Sequence, residues 1–450
     1  MSAPTRAGAR EILELAVPAL LTLVAEPLFL MADSAVVGHV GTAQLAGLGV
    51  ASTVLLTATG LFVFLAYATT ATSARRLGAG DRRGAASAGV DGVWLSVIIG
   101  VLVAAVVVAR PVWIARLFGA EGDPTHTAAT YLHIAGFGIP AMLVTMAVTG
   151  VLRGFQDTRT PLVVSVIAFS VNLGLDLWFV LGLGWGIAGS AWATLICQVA
   201  MAVALVTVFV ARTRSTGMGL GFRPSGVMGS LRDGIPLFVR TLALRGALVA
   251  TTWVAARLGE VPLASYQVTM TVWNFAAMAL DALGIAGQAL TGAALGAGDA
   301  ERTRSLTRLM VRWGVWAGVV LAVGLVALHR VLPAVFSPDP RVRAAVATGL
   351  VVVGLMQPLA GPVFVLDGVL IGAGDGRWLS LAQVVMLAAY LPMVAAVHLL
   401  SPGTPGHLWA AGGHPASVAA LWIAFTGFMA VRGALLGWRA RGERWMRLGA

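Results

Sequence analysis

At 450 residues the chain is long enough for several domains, yet 58% of it is hydrophobic, 11% is charged and the mean hydropathy is +0.88. Such a composition excludes a water-soluble globular protein and predicts an all-α polytopic membrane protein. All 30 basic residues are Arg, so a GxxxxGK[ST] phosphate loop and lysine Schiff-base chemistry are excluded as well.

The apolar runs predict twelve helices, at residues 12–37, 46–73, 87–109, 127–151, 161–181, 186–211, 232–257, 263–290, 308–331, 344–371, 378–400 and 416–437. Each is long enough to cross a hydrocarbon core of about 30 Å. The first follows a short basic leader without a clear cleavage site and reads as a retained helix. Cys197, the one cysteine, lies inside an apolar run and suits a packing role. Of the arginines, 21 fall at or beside the termini and the even-numbered loops and six at or beside the odd-numbered loops, with Arg240, Arg245 and Arg432 inside spans. The arginine-rich side is expected to be cytoplasmic, with both termini on it. The net charge of +11 is thereby read as membrane topology and not as a nucleic-acid footprint.

A repeat organises the chain. Gly150, Val151, Leu152, Gly154, Asp157 and Arg159 recur 218 residues later as Gly368, Val369, Leu370, Gly372, Asp375 and Arg377. The string LGAGD at Leu77–Asp81 recurs at Leu295–Asp299 with the same offset, and Pro18, Gly41 and Phe118 meet Pro236, Gly259 and Phe336. Two six-helix halves follow, an N-lobe at 1–211 and a C-lobe at 232–450 joined by a cytoplasmic linker at 212–231. An even number of spans makes the repeat parallel, around a central cavity. In both halves the loop Asp is expected to cap a helix or hold its nearby Arg.

Polar residues inside spans are the candidate machinery, because an acid there is costly and faces a cavity or a partner. Counted from the outer helix ends at about 1.5 Å per residue, Asp33, Asn172, Asp176 and Thr194 lie in one slab on three helices. Carboxylates, an amide and a hydroxyl suit a proton or a hard cation such as Na⁺, and no metal-ligand spacing accompanies them. Polar glue between helices is the other reading, above all for Thr194. The repeat places Tyr390 and Val394 where Asn172 and Asp176 stand, so this chemistry is kept in one half. In the C-lobe Arg240, Asp281 and Asp367 are either a structural ion pair or a second cation or substrate site. Glu26 and Arg245, at one depth, either pair across the cavity or pair within their own lobes, Arg245 with Asp281. Gly184, Gly186 and Gly189 fit GxGxxG but follow no strand, which favours close helix approach over dinucleotide binding.

The strings MADSAVVGHVG, GVLRGFQDTRTPL, NLGLD, GWGIAGSAWAT and LDGVLIGAGD resemble the multidrug and toxic compound extrusion (MATE) family, in its DinF-like branch. The resemblance implies a twelve-helix secondary antiporter of the cell membrane, exporting amphipathic or cationic small molecules in exchange for inward H⁺ or Na⁺. The family's N-lobe cation site matches Asp33, Asn172, Asp176 and Thr194. No cofactor beyond the coupling ion, no nucleic-acid partner and a monomer in the bilayer are expected. A flippase for a lipid-linked precursor is the alternative. A membrane enzyme is disfavoured, because no nucleophile-base pair or HExxH motif is present.

Overall fold

A computed structural model describes residues 3–217, 219–400 and 415–449. Its twelve long apolar helices, long enough to cross a membrane, are α1 (Gly8–Gly38), α2 (Thr42–Gly78), α3 (Arg82–Ala109), α4 (Asp123–Gly154), α5 (Arg159–Gly182) and α6 (Gly186–Thr216), then α7 (Pro224–Leu258), α8 (Glu260–Gly296), α9 (Ala300–Leu328), α10 (Pro340–Gly372), α11 (Gly376–Leu399) and α12 (Ala416–Arg441). Two short helices, Pro111–Leu117 and Leu332–Phe336, follow α3 and α9 at repeat-related places. No strand occurs among the described residues.

Two helices begin about two turns earlier than their apolar runs suggest. α7 starts at Pro224, inside the expected linker 212–231, and α9 starts at Ala300. Hydropathy misses these first turns because small and polar residues dilute them, Ser225, Gly226, Gly229 and Ser230 in α7 and Glu301, Arg302, Arg304 and Ser305 in α9. Asp299 caps α9 by accepting from the Arg302 N–H at 2.8 Å, as Asp81 caps α3 by accepting from Gly84 at 2.7 Å.

The chain folds as two compact units. One, the N-unit, holds Leu13–Phe238, Gly292–Gly298 and the segment from Leu448 on; the other, the C-unit, holds the chain up to Ile12, Val239–Thr291 and Asp299–Arg447. The residues 401–414 of the expected C-lobe lie outside the described ones.

Inside each unit the repeated loop motif has a packing cause. In the N-unit a methyl at Gly150 would lie 2.4 Å from the Ala66 carbonyl oxygen, and one at Gly154 would lie 2.9 Å from that of Thr70. In the C-unit Gly368 and Gly372 stand 2.1 and 2.2 Å, by the same measure, from the carbonyl oxygens of Gly284 and Gln288. Adding 218 to 66 and 70 gives 284 and 288, so both pairs of helices, α2 with α4 and α8 with α10, touch at the same places. Small residues at such crossings let backbones approach closely where lipid supplies no hydrophobic drive. The outward faces carry exposed Leu102, Val203, Val320 and Leu381, as expected of lipid-facing helices.

The loop aspartates act as caps and clamps, with partners far away in sequence. Asp157 accepts from the backbone N–H of Arg159 and Thr160 at 3.1 and 2.9 Å and pairs with Arg212 at 2.7 Å. Asp375 takes Arg439 at 2.6 Å. The ion-pair partners are not the nearby Arg159 and Arg377; an arginine at the end of α6 or α12 reaches back across the unit instead.

Candidate functional site

The N-unit buries Asp33, Asn172, Asp176 and Thr194 together, with exposures of 1, 2, 0 and 7%. Asp33 lies near the end of α1, and Asn172 and Asp176, four residues apart, share a face of α5. α1 is seated on α5 by Phe29 and Phe169, whose rings stack at 4.9 Å. Beyond Asp176 the α5 backbone widens into a π-helical turn, Leu177–Gly182, a feature that often marks a functional position. α6 packs into this widened turn through Gly189, where a methyl would lie 2.9 Å from the Phe179 carbonyl carbon. Gly186 holds a left-handed φ of +56°, and the amide after it, Ile187 N–H, donates to Gln44 Oε1 at 3.0 Å. The GxGxxG glycines thus fix the start of α6.

Two further residues complete the site. Ser190 Oγ donates to Asp33 Oδ1 at 2.7 Å, and the Tyr131 hydroxyl of α4 lies 3.0 Å from Thr194 Oγ1. Sequence reasoning did not single them out. Ser190 carries a signal that would have found it, since it precedes Thr194 by four residues and shares its helix face. Tyr131 has no such signal, because α4 begins in a polar stretch where one more polar residue is unremarkable.

What Asp176 lacks is a donor. The Asp33 and Asp176 carboxyls lie within interaction range of one another. Neither oxygen of Asp176 has a hydrogen-bond partner, and Asn172 Oδ1 is also unpartnered. Two buried carboxylates side by side repel and leave acceptors desolvated, which a proton or a small hard cation would resolve. A cavity of about 10 Å³, lined by Asn172, Thr194, Cys197 and Gln198 among others, adjoins the site and is large enough for about one water.

The C-unit is built differently at the matching positions. Thr251, which the offset pairs with Asp33, lies with its Oγ1 2.6 Å from the hydroxyl of Tyr390, the counterpart of Asn172. Val394 replaces Asp176 and is buried. Elsewhere in this unit Asp367 is clamped by two guanidiniums: Arg240 bonds both of its oxygens, and Arg432 reaches Oδ1 at 3.1 Å. Arg432 also lies over the Phe364 ring at 5.7 Å, and Asp281 is close enough to act on it electrostatically. The structure therefore joins Arg240 to Asp367, with Arg432 as a partner that sequence reasoning left unassigned. Glu26 and Arg245 are both exposed, and within its own unit each has no ion-pair partner among the described residues. Arg245 in particular does not pair with Asp281.

Comparison with known proteins agrees with this architecture. The MatE family pattern matches residues 18–178 and 236–397, two segments whose starts differ by the repeat offset, 236 − 18 = 218. Protein DETOXIFICATION 43 of Arabidopsis thaliana is 31% identical over 310 residues, 69% of this chain, and the chain spans 55% of that relative's length. DNA damage-inducible protein F of Escherichia coli (strain K12) is 28% identical over 436 residues, covering 94% of this chain and 91% of its own. A solved structure, the outward-facing conformation of a multidrug resistance MATE family transporter of the MOP superfamily, superposes with a TM-score of 0.84 at 19% identity over 96% of this chain and 95% of that one. On the family match over both halves, the chain belongs to the MATE family, whose members are transporters and not enzymes.

Proposed function

We propose that the chain is a secondary antiporter that exports amphipathic or cationic small molecules in exchange for inward H⁺ or Na⁺, by rocking of its lobes in alternating access. The observation that carries this reading is the pair of buried carboxylates, Asp33 and Asp176, with both Asp176 oxygens and Asn172 Oδ1 unpartnered in a helix bundle. Such a site gains free energy by taking up one cation and loses it on release, which is what a coupling ion must do. Its ligands are hard oxygens, which favour H⁺ or Na⁺ over a soft metal. The relatives support the cargo class by their printed names, one of them a multidrug resistance transporter. The arginine asymmetry supports a cell-membrane location with both termini cytoplasmic.

The test is efflux from reconstituted vesicles under an imposed pH gradient and, separately, an imposed Na⁺ gradient. Export of a fluorescent organic cation driven by either gradient supports the reading. Export driven by neither, with movement of a labelled lipid-linked saccharide instead, overturns it in favour of a flippase.

A further inference from the structure

The LGAGD strings play no part in the site just described, yet they hold an unusual contact. The N-unit includes Gly292–Gly298, so the ends of α2 and α8 belong to one compact body. There a methyl at Gly78 would lie 2.0 Å from the Ala293 carbonyl oxygen, and a methyl at Gly296 would lie 1.9 Å from the Arg75 carbonyl oxygen. Since 296 − 218 = 78 and 293 − 218 = 75, the two contacts are one contact seen twice. The repeat makes the patch self-complementary, as in a two-fold dimer interface.

Turn geometry does not account for these glycines. The turns of the strings are made by Gly80 and Gly298, whose φ values of +80° and +75° favour glycine. Gly78 and Gly296 are the last residues of their helices, without a left-handed φ, and what requires glycine there is the opposing carbonyl.

A third segment ties the strings together. Leu448 and Gly449 group with the N-unit, while the chain up to Arg447 groups with the C-unit. The Gly449 N–H donates to the Leu295 carbonyl at 3.0 Å, and the Arg75 guanidinium donates to the Gly449 carbonyl at 2.6 Å. One residue thus bonds the second string at Leu295 and the α2 turn that leads into the first, through the charged Arg75 two residues before Leu77. The preceding stretch is held within the C-unit, by Glu443 to Arg304 at 2.5 Å and by the buried Trp445.

We propose that the two LGAGD strings form a reciprocal glycine seam that closes one end of the transport path, and that Leu448–Gly449 is a latch that holds the seam shut. This rests on the alternating-access reading above, because a seam needs a latch only if it opens. Opening breaks two hydrogen bonds at Gly449 and separates two backbones at once. The latch therefore sets the population of the open form without touching the cation site.

Spin labels at Ala79→Cys and Ala297→Cys test this in a Cys197→Ala background. Both positions are exposed, and 79 + 218 = 297 makes them equivalents on either side of the seam. Pulsed dipolar distances are measured on the full chain in lipid nanodiscs, with neither substrate nor ion gradient. Ending the chain after Arg447 should raise the longer-distance population about two-fold or more, and Arg75→Gln, which keeps the chain length, should act in the same direction. Gly78→Ala and Gly296→Ala should raise it further and to the same extent. Gly324→Ala, at a glycine with nothing within 4 Å of its missing methyl, should leave it unchanged. Identical distributions for the shortened and full chains would overturn the latch, and a response to only one of the two seam glycines would overturn the reciprocal seam. Because no transport is measured, a protein that exports nothing in vesicles would refute the antiport reading and leave these outcomes to stand or fall separately.

Discussion

At three positions related by the repeat, the N-unit buries Asp33, Asn172 and Asp176 where the C-unit buries Thr251, Tyr390 and Val394. The backbone frame is shared, down to the glycines that seat α4 on α2 and α10 on α8. The difference lies in how the matched positions satisfy their polar atoms. In the C-unit Thr251 and Tyr390 bond each other, and the acid elsewhere in that unit, Asp367, has two arginines. The N-unit leaves a carboxylate and an amide oxygen without donors. A duplicated scaffold can thus hold one half fixed and keep the other available for an ion that comes and goes.

The sharpest way to break this comparison is Asp33→Asn. It should abolish ion-driven export in reconstituted vesicles while the protein still inserts and purifies normally. Full export from that variant would remove the N-unit site from the mechanism. Asp176→Asn should weaken the ion dependence of substrate binding more than the binding itself, read as affinity by fluorescence at several pH and Na⁺ values. An equal loss under every ion condition would make Asp176 a substrate contact.

Next in size comes the C-unit triad. Asp367→Asn leaves Arg240 and Arg432 as buried charges without their carboxylate, a loss of about 3–5 kcal/mol for a broken buried pair. Thermal unfolding in detergent should show it as a large fall in midpoint, with ion coupling in the surviving protein unchanged. A change in ion selectivity at normal stability would mean that the C-unit also exchanges cations, and the contrast between halves would fail.

Smaller effects are expected at the helix caps. Asp157→Ala and Asp375→Ala each remove a clamp on a distant arginine, and Asp157→Ala a cap as well, worth about 1 kcal/mol. Folded yield should fall modestly in both with substrate preference intact. The smallest is Tyr390→Phe, which gives up one hydrogen bond of about 1 kcal/mol, since Thr251 keeps its bond to the Ala247 carbonyl. Export by Tyr390→Phe should match the parent in the same vesicle assay.

Much of this contrast was legible before any coordinates. Twelve spans follow from apolar runs that length alone makes unambiguous, and the offset of 218 follows from rigid matches such as LGAGD. Asp33, Asn172 and Asp176 stand out because ionisable and amide groups are conspicuous in apolar helices. What stayed hidden depends on side-chain reach between distant segments. Arg212 and Arg439 clamp Asp157 and Asp375 from 55 and 64 residues away, since 212 − 157 = 55 and 439 − 375 = 64, whereas sequence proximity points to Arg159 and Arg377. Tyr131 and Ser190 look like ordinary polar residues until the fold sets them beside the acids. The early starts of α7 and α9 are invisible to hydropathy because small and polar residues dilute those turns.

The π-helical turn after Asp176 acts as a gear tooth between two helices. A π turn holds about one residue more than an α turn, so the chain leaves it rotated by about 100° relative to an uninterrupted α-helix. That rotation sets the angle at which the hairpin to α6 departs, with Trp185 N–H returning to the Phe179 carbonyl at 3.0 Å. Removing one residue from Leu177–Gly182 would let α5 run on as plain α-helix and lose no apolar length worth counting. It would swing Gly189 off the Phe179 backbone and carry Ser190 away from Asp33, so a single-codon deletion here reaches the acid site through the backbone alone.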